Sequence, residues 1–530
     1  MTDTQTSVEW KQLRWLAILI VALGGVTQLT RILQVESNTG EVPFHSANDR
    51  SRWCTIAALT VNGSYEIDDV LEIRDPETKR RTWYSIDLVR HRGADGKQHF
   101  YSSKPPLLPT MYSWVYRVVR VVTQSTLTSD TFFVARVMLV IVNLLPWLAF
   151  SALLVLWLGK QIENTWGVVV FSLVVAMGTY LSTFASTLNN HLPGAFAVGV
   201  SLWCLDRIVL KEDARWRWFV LCGLGTSFGA ANELPALGWV VAAGCVLLFS
   251  NPSKTLLGYV PSLLPVAGAF FYFNFAAHGT LVPAYAHRSA GELLCTVSNA
   301  TVEADRETVL SAMKESGIEL SSDVNLRNAR TADTWELIDN ASQVQYALVA
   351  QGEDIEVRKW GDWYDYPGSY WTSDRKQGVD KGEPDRGAYI FHCLIGHHGI
   401  FSLTPFWFVA IVGCWAIFQQ RESINPFSDQ RMMLMFVLVA TSVVVLGFYF
   451  ARGIEDRNYG GVCSGFRWSF WLIPLWCWLA AQGLRAVKKP VSKRVVELLV
   501  VLSVFSASYP WANPWTSPWP MQLLDYAGWL

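Results

Sequence analysis

Charge is scarce in this sequence of 530 residues, and neither sign of charge prevails. Charged side chains make up 16% of the chain, hydrophobic residues make up 51%, and the net charge is −1. Soluble domains carry about 25% charged residues, so the composition excludes an ordinary soluble protein. The balanced charge gives no reason to expect nucleic acid as a partner. Tryptophan is abundant instead, with 26 residues, and is typical of membrane interfaces because its apolar ring carries one polar N–H.

Long apolar runs predict an all-α polytopic membrane protein with about eleven transmembrane helices. The runs are 13–30, 131–158, 165–186, 192–210, 217–231, 235–250, 255–275, 400–418, 432–451, 466–484 and 494–510. No small-residue cleavage site follows the first run, so we expect an uncleaved anchor there and not a signal peptide. The absence of an internal repeat disfavours transporter folds built from repeated halves.

Lysine and arginine are absent from the short loops at 187–193 and 230–236 and concentrated in the short loops of the opposite side. The positive-inside rule therefore places the N-terminus in the cytoplasm and two long polar segments outside. We expect α/β structure in these extracytoplasmic segments. The predicted parts are an N-terminal transmembrane module, 1–275, with a first outer loop, 32–129; an outer insert, 276–398; and a C-terminal transmembrane module, 399–530.

The first polar segment ends on a lysine followed by two prolines. Residues 81–106, "RTWYSIDLVRHRGADGKQHFYSSKPP", predict a β-hairpin whose turn is "ADGK" and whose second strand leads to Lys104. Pro105 and Pro106 keep the backbone extended, which would hold the ammonium group at headgroup depth, where it suits a lipid-linked phosphate or any lipid headgroup. An amphipathic interfacial helix should follow, with one apolar face formed by Leu107, Leu108, Met111, Trp114, Val115 and Val118.

Other polar groups fall at the same predicted outer border. Asp49 precedes a stretch with helical spacing and is a helix cap, an ion-pair partner of Arg50 or Arg52, or a functional carboxylate. The remaining candidates for binding an anionic substrate are Arg52, Asn190, His191, Glu233, Arg457 and Arg467. Adjacent histidines bind one ion poorly, so we expect no metal at His392, His397 and His398. Four cysteines in the outer segments leave room for two disulfides: Cys54, Cys295, Cys393 and Cys463.

The order of several motifs resembles the GT-C glycosyltransferases, namely the protein O-mannosyltransferases and the bacterial lipid A aminoarabinose transferases. The matching pieces are Asp49 in the first outer loop, "YSSKPPLLP", "NFAAHGTLVPAY", "GIFSLTP" and "NYGGVCSGFRW". Two departures are that Arg50 stands where the O-mannosyltransferases carry a second acidic residue, and that Asn189, Asn190 and His191 replace an acidic residue of the second outer loop. They leave metal dependence and the acceptor open.

The resemblance implies an enzyme of the extracytoplasmic face, in a bacterial cytoplasmic membrane. Such an enzyme moves a hexosyl or pentosyl group from a polyprenyl-phosphate donor to a hydroxyl of a lipid, glycan or protein acceptor. By that resemblance Asp49 is the catalytic base, and Lys104 and Arg467 contact the donor phosphate. One displacement would invert the anomeric carbon. We expect Asp49, Lys104 and Arg467 to line one cavity. No cofactor is firmly implied, although a divalent cation stays open.

Two other classes of function compete with this interpretation. A membrane transporter or lipid flippase would need ionisable residues near the middle of its spans, whereas the charged candidates here cluster at one face. A non-catalytic membrane subunit that binds lipids would carry the same apolar runs. The chain's own sequence therefore favours the transferase over the transporter but leaves the binding subunit open.

Overall fold

The computed structural model describes residues 3–300, 302, 306–372, 374–421 and 429–529. The α-helices, numbered in chain order, are α1 (Asp3–Leu33), α2 (Ala47–Val61), α3 (Asp68–Leu71), α4 (Leu107–Thr123), α5 (Thr131–Leu139), α6 (Leu145–Ile162), α7 (Thr165–Met177), α8 (Tyr180–Thr183), α9 (His191–Val209), α10 (Trp216–Asn232), α11 (Leu237–Ser250), α12 (Pro252–Lys254), α13 (Val260–His278), α14 (Arg306–Glu315), α15 (Arg386–Leu394), α16 (Ile400–Leu403), α17 (Phe408–Gln419), α18 (Gln430–Phe450), α19 (Ile473–Ala486), α20 (Pro490–Ser508) and α21 (Trp519–Tyr526).

The seven strands are β1 (Leu88–Arg92), β2 (Gln98–Ser102), β3 (Leu293–Val297), β4 (Val324–Asn328), β5 (Thr334–Asp339), β6 (Gln345–Gln351) and β7 (Asp354–Lys359). Strands β1 and β2 form the predicted hairpin, with Leu88 paired to Ser102. The other five form one antiparallel sheet in the order β3-β7-β6-β5-β4, with α14 against it. The mostly helical fold with small α/β regions in the polar segments is as the sequence predicts.

Each of the eleven apolar runs lies on helical structure. Six helical segments of the described chain are long and apolar enough to cross a membrane, so the protein is an integral membrane protein. They are Trp10–Leu33, Thr131–Ile162, Thr165–Ser186, His191–Val209, Pro252–His278 and Gln430–Phe450. The other five runs lie on helices that are shorter or, in α20, interrupted by charge. A crossing needs about 20 apolar residues because the hydrocarbon core is about 30 Å thick.

The chain forms two compact units, each assembled from separated segments. Unit 1 comprises 1–49, 118–269 and 378–530, and unit 2 comprises 50–117 and 270–377. Unit 1 holds the apolar helices except the last part of α13, residues 270–278, and buries large aromatic residues such as Trp147, Trp239 and Trp478. Unit 2 holds the hairpin and the sheet, whose core contains Val309, Leu337 and Val357. The predicted division into 1–275, 276–398 and 399–530 follows chain order and stays a prediction.

Helix α4 is amphipathic, but its two apolar faces differ from the single face expected. Leu107 and Leu108 are buried together with Tyr112, Tyr116 and Val119. A separate apolar stripe stays exposed: Met111, Trp114, Val118, Val121 and Val122. An exposed stripe of this kind is what a helix at a membrane interface presents to lipid. The first turn therefore belongs to the protein core, and only the rest of the predicted face is left for the membrane.

No disulfide joins any of the nine cysteines, all of which lie in the part of the chain that the structure describes, so the two disulfides left open by the sequence are not formed. Cys54, Cys393 and Cys463 are buried and Cys295 is partly buried. Buried cysteines pack as small apolar side chains, so these thiols contribute to the core and not to cross-links.

Candidate functional site

Asp49 lies in the first turn of α2, where its carboxylate is held from both sides. Oδ1 accepts hydrogen bonds from the Ser46 N–H (2.8 Å) and the Ser46 hydroxyl (3.1 Å). The Asp49 N–H donates in return to Ser46 Oγ (3.3 Å), which completes a reciprocal cap of the helix start. Oδ2 accepts from the His45 N–H (3.0 Å) and the Thr187 hydroxyl (3.1 Å). Asp49 therefore caps α2, and these hydrogen bonds hold its carboxylate in one orientation.

His45 precedes this helix and is 7% exposed. Burial lowers the pKa of the imidazole, against the opposing effect of the Asp49 charge. A neutral imidazole is thus placed next to the candidate base.

Thr187 links Asp49 to the loop before α9. Its backbone carbonyl accepts from Asn143 Nδ2 (2.7 Å) and from Asn189 Nδ2 (2.8 Å). Asn143 is 1% exposed and belongs to a π-helical turn, Val140–Leu144, inside the long apolar segment between α5 and α6. Such turns recur at functional sites. Here the turn directs an amide to the loop that carries Thr187.

Trp515 connects Thr187 to Arg467. The Trp515 indole N–H donates to Thr187 Oγ1 (3.0 Å), and the Arg467 guanidinium lies 5.1 Å from the Trp515 ring centroid. An arginine over an indole face is attracted by the ring quadrupole. Asp49, Thr187, Trp515 and Arg467 thus form a continuous chain of contacts inside unit 1.

Arg467 also reaches the predicted residues of the second outer loop. Its Nη1 lies 2.9 Å from His191 Nε2, and His191 Nδ1 makes a short contact with the Glu233 carboxylate. A guanidinium can only donate, so His191 Nε2 accepts, and Nδ1–H donates to Glu233. Asn190 Nδ2 donates to the same Glu233 oxygen (2.8 Å). The neutral imidazole lies between the Arg467 guanidinium and the Glu233 carboxylate. Glu233 therefore orients Arg467 through His191 and forms no direct ion pair with it.

The glycine pair of the "NYGGVCSGFRW" motif sets the position of Arg467. The Arg467 Nε–H donates to the Gly460 carbonyl, and Gly460 has φ +98°. A Cβ at Gly460 would lie 2.8 Å from both Cγ and Nε of Arg467. The left-handed backbone and the close approach both require glycine there.

Gly460→Ala is therefore expected to lower the free energy of unfolding by about 1–3 kcal/mol, because it adds backbone strain and displaces Arg467. Gly453→Ala is the matched control, since Gly453 lies in the same loop with φ −65° and has no atom within 4 Å of its added Cβ. Thermal unfolding of both variants in detergent checks the difference. Equal midpoints for the two variants would contradict a structural demand at Gly460.

Lys104 lies in unit 2, two residues after β2. Its Nζ is 2.9 Å from Asp87 Oδ2, with the two side chains 19% and 11% exposed. Asp87 precedes β1, and the Ser103 N–H donates to its carbonyl at 3.1 Å, so the hairpin register brings the two residues together. The ammonium group is therefore oriented by a carboxylate, which the sequence interpretation did not include.

Two further predicted residues hold other positions. Arg457 Nη1 donates to the carbonyls of Glu383 (3.0 Å) and Pro384 (2.7 Å), so it fastens the segment before α15. Arg52 is 3% exposed on α2 in unit 2. Within unit 1 the structure brings together five of the predicted residues: Asp49, Asn190, His191, Glu233 and Arg467. Their roles, and those of Lys104, Arg457 and Arg52, stay predictions.

The ranges that the structure describes contain no group of three His, Cys, Asp or Glu side chains placed to hold a metal ion. His392, His397 and His398 do gather, with His397 Nδ1 and His398 Nδ1 2.5 Å apart and the His398 ring stacked on Tyr459. The contacts from Asp49 to Glu233 bring together two carboxylates, an imidazole and a guanidinium.

Sequence reasoning missed Asn143, Thr187, Trp515 and Asp87. Asn143 carried a signal, because an amide within an apolar run needs a buried partner. Asp87 carried another, because it stands opposite Ser103 once the hairpin turn is fixed. Thr187 and Trp515 are ordinary residues for their loops and carried none.

Neither a protein-family model nor a curated protein matches the sequence. Among solved structures, the chain is similar to the protein O-mannosyltransferase Pmt1–Pmt2 complex of S. cerevisiae bound to the sugar donor, at 11% identity and TM-score 0.42 over 99% of this chain and 94% of that chain. It is also similar to the oligosaccharyltransferase AglB of Archaeoglobus fulgidus in complex with an inhibitory peptide and a dolichol-phosphate, at 11% identity and TM-score 0.44 over 97% of this chain.

The chain spans 58% of the AglB chain. The protein O-mannosyltransferases are one of the two families that the sequence motifs resemble. At 11% identity and these TM-scores, neither likeness bears on the activity of this chain.

Proposed function

We propose that the protein is a membrane glycosyltransferase that moves a sugar from a polyprenyl-phosphate donor to an acceptor hydroxyl. The observation that carries the proposal is the chain of contacts in unit 1 that joins a fixed carboxylate, Asp49, to a fixed guanidinium, Arg467. Transfer from a lipid phosphate needs a base for the acceptor and a cation for the leaving group.

The reaction forms a bond between the acceptor oxygen and the anomeric carbon and breaks the bond from that carbon to the phosphate oxygen. Asp49 takes the acceptor's proton, and the leaving phosphate keeps the electron pair of the broken bond. Arg467 donates to Gly460 and His191 and also contacts the Trp515 ring and the Cys463 thiol, and its remaining N–H groups suit the phosphate oxygens. One displacement without a covalent intermediate inverts the anomeric carbon. The extracytoplasmic face is the expected side of the reaction.

Purified protein in nanodiscs, given a panel of polyprenyl-phosphate sugars and hydroxyl acceptors, tests the proposal. The expected result is release of polyprenyl phosphate together with a glycosylated acceptor, in the anomeric configuration opposite to that of the donor. A control in proteoliposomes follows movement of the same lipids between leaflets. Movement of the lipid with no transfer to any acceptor would overturn the proposal in favour of a flippase.

Lys104 gives a smaller, separate prediction. If its ammonium contacts the donor phosphate, Lys104→Ala weakens donor binding about ten- to hundredfold, because a charge-assisted contact contributes roughly 1.5–3 kcal/mol. Asp87→Asn is the matched variant: it removes the partner charge 2.9 Å away but keeps the cation, so donor affinity holds or rises. Donor affinity is measured by competition with unlabelled polyprenyl phosphate. A fall of equal size in both variants would assign Lys104 and Asp87 a structural role only.

A further inference from the structure

Three arginine side chains surround one tryptophan in unit 1, where α9 ends and α10 begins. The guanidinium carbons of Arg207, Arg215 and Arg217 lie 5.5, 5.8 and 4.5 Å from the centroid of that ring, which belongs to Trp218. The ring attracts each cation through its quadrupole. Cations gathered on one ring also repel one another, because separations on the order of the Debye length, about 8–10 Å, are too short for salt to screen them fully.

Two lysines extend these arginines into a larger group of cations. Lys211 lies in the loop between α9 and α10. Lys254 lies near the start of the apolar segment Pro252–His278, donates to the Ala214 carbonyl and is 5.9 Å from the centroid of the Trp216 ring. Five cations thus form the basic cluster: Arg207, Lys211, Arg215, Arg217 and Lys254. The residues Lys211, Arg215 and Arg217 are exposed, so a ligand can contact their side chains.

Carboxylates neutralise the basic cluster only in part. Asp213 accepts two N–H groups of Arg215, one of them the Nε–H at 2.7 Å, and Glu212 is the other carboxylate of this loop. Asp206 is 1% exposed and already accepts from three donors on α6 and α19. Across the residues that the structure describes, the other two arginines form no ion pair. An anion bound at the basic cluster would therefore relieve repulsion between cations.

The basic cluster and the candidate site lie at opposite ends of α9. This helix is long and apolar enough to cross a membrane, begins at His191 of the candidate site and carries Arg207 in its last turn. Its 19 residues span about 28 Å at a rise of about 1.5 Å per residue, close to the hydrocarbon thickness of about 30 Å. A ligand of the basic cluster would therefore occupy the membrane leaflet opposite to that of the proposed donor.

Exposed apolar side chains continue from the basic cluster along two neighbouring helical segments. Trp216, Val220 and Leu221 of α10 are exposed, and so is Leu257 in the segment Pro252–His278. The two segments are in contact, since a Cβ on Gly258 would lie 3.1 Å from the Trp216 ring. An exposed tryptophan is typical of headgroup depth. Cations beside an apolar surface at this depth suit a ligand with an anionic head and apolar tails.

We propose that the basic cluster binds the headgroup phosphate of an anionic phospholipid, whose acyl chains lie along the exposed apolar side chains of α10 and the segment Pro252–His278. Basic groups between transmembrane helices attract such headgroups. A zwitterionic lipid gains less, because its own ammonium already neutralises its phosphate. Free phosphate gains less too, because it has no tails for the apolar surface. The inference does not depend on the proposed transfer.

The test titrates the full chain in detergent with phosphatidylglycerol, phosphatidylcholine, inorganic phosphate and polyprenyl phosphate, and native mass spectrometry measures the binding of each. Lys211→Gln combined with Arg217→Gln is expected to weaken phosphatidylglycerol binding about ten- to thirtyfold, at about fivefold for each cation. Phosphatidylcholine binding should not change. Lys488→Gln combined with Lys489→Gln is the matched control: it removes the same charge from exposed lysines between α19 and α20 and should bind phosphatidylglycerol as wild type does.

Unfolding midpoints in lipid-free detergent show whether each variant folds, and Arg217→Gln alone, with an expected loss of about fivefold, decides the question if the double variant does not fold. Equal affinity for phosphatidylglycerol and either phosphatidylcholine or inorganic phosphate would overturn the proposal. So would an equal loss in the two double variants, because binding would then follow net charge. A larger loss for polyprenyl phosphate than for phosphatidylglycerol would assign the basic cluster to the donor. Failure of the transfer assay leaves these outcomes readable, because they measure binding alone.

Discussion

Asp49→Asn is expected to lower turnover about 10²–10⁴-fold at saturating donor, because an amide cannot take the acceptor's proton. The substitution also disturbs the helix cap. Asp49 Oδ1 accepts a hydrogen bond from the Ser46 N–H, and Oδ2 accepts one from the His45 N–H. An asparagine amide in either orientation would therefore place its NH₂ group against one of these two N–H donors. We expect about 1–3 kcal/mol of lost stability from that contact. Asparagine caps helices about as well as aspartate in general, but it is not a neutral substitute at this position.

Ser46→Ala separates the two roles of Asp49. It removes the hydroxyl that bonds Asp49 Oδ1 and the Asp49 N–H, and it keeps the carboxylate. A cap contributes about 1 kcal/mol, so Ser46→Ala should lose stability but keep turnover per folded molecule within a few-fold. Turnover and unfolding midpoints are measured for both variants in nanodiscs. Similar turnover in the two variants would falsify the base assignment and direct attention to His45 or Glu233.

Arg467→Met is expected to lower turnover about 10²–10³-fold, since it removes the cation that would stabilise charge on the leaving phosphate. Arg467→Lys should fall between wild type and Met, because an ammonium keeps the charge but not the planar fork of N–H donors. The effect should appear in kcat more than in donor binding if the contact strengthens as the phosphate departs.

Arg452→Met is the control for Arg467. Arg452 belongs to the same segment between α18 and α19, pairs with Asp456 at 2.6 Å and is 40% exposed, so its loss should leave turnover near wild type. Steady-state kinetics with varied donor, together with unfolding midpoints, checks all three variants. The activity of Arg467→Met could instead fall only in proportion to the loss of folded protein, so that the folded molecules keep wild-type kcat. Arg467 would then have only a structural role in the loop that contains Gly460.

Local features of the fold could be predicted from the sequence because their physical cause is local. An apolar run in lipid must satisfy its backbone internally, which makes it helical. The "ADGK" turn places Leu88 opposite Ser102, as found. Long-range features could not be predicted in this way. The first turn of α4 is buried because tertiary neighbours cover Leu107 and Leu108, and no periodicity records those neighbours.

The candidate site shows the same difference between local features, which could be predicted, and long-range features, which could not. Asp49, His191, Glu233 and Arg467 were predicted because a charged or ionisable group at the border of an apolar run needs a reason to be there. Trp515 was not, since one tryptophan among 26 near a membrane border carries no distinguishing mark. Its importance comes from two contacts, with Thr187 and Arg467, that only the folded chain creates.

The interleaved assembly of the two units has a consequence for the order in which the protein is made. The chain passes from one unit to the other after residues 49, 117, 269 and 377, so neither unit corresponds to one stretch of messenger. During translation, the hairpin emerges long before the sheet with which it shares unit 2. Asp49 emerges before Trp515 by on the order of tens of seconds at about 5–20 residues per second. A ribosome that stalls within α19 or α20 therefore carries a membrane-inserted intermediate whose polar chain is still incomplete.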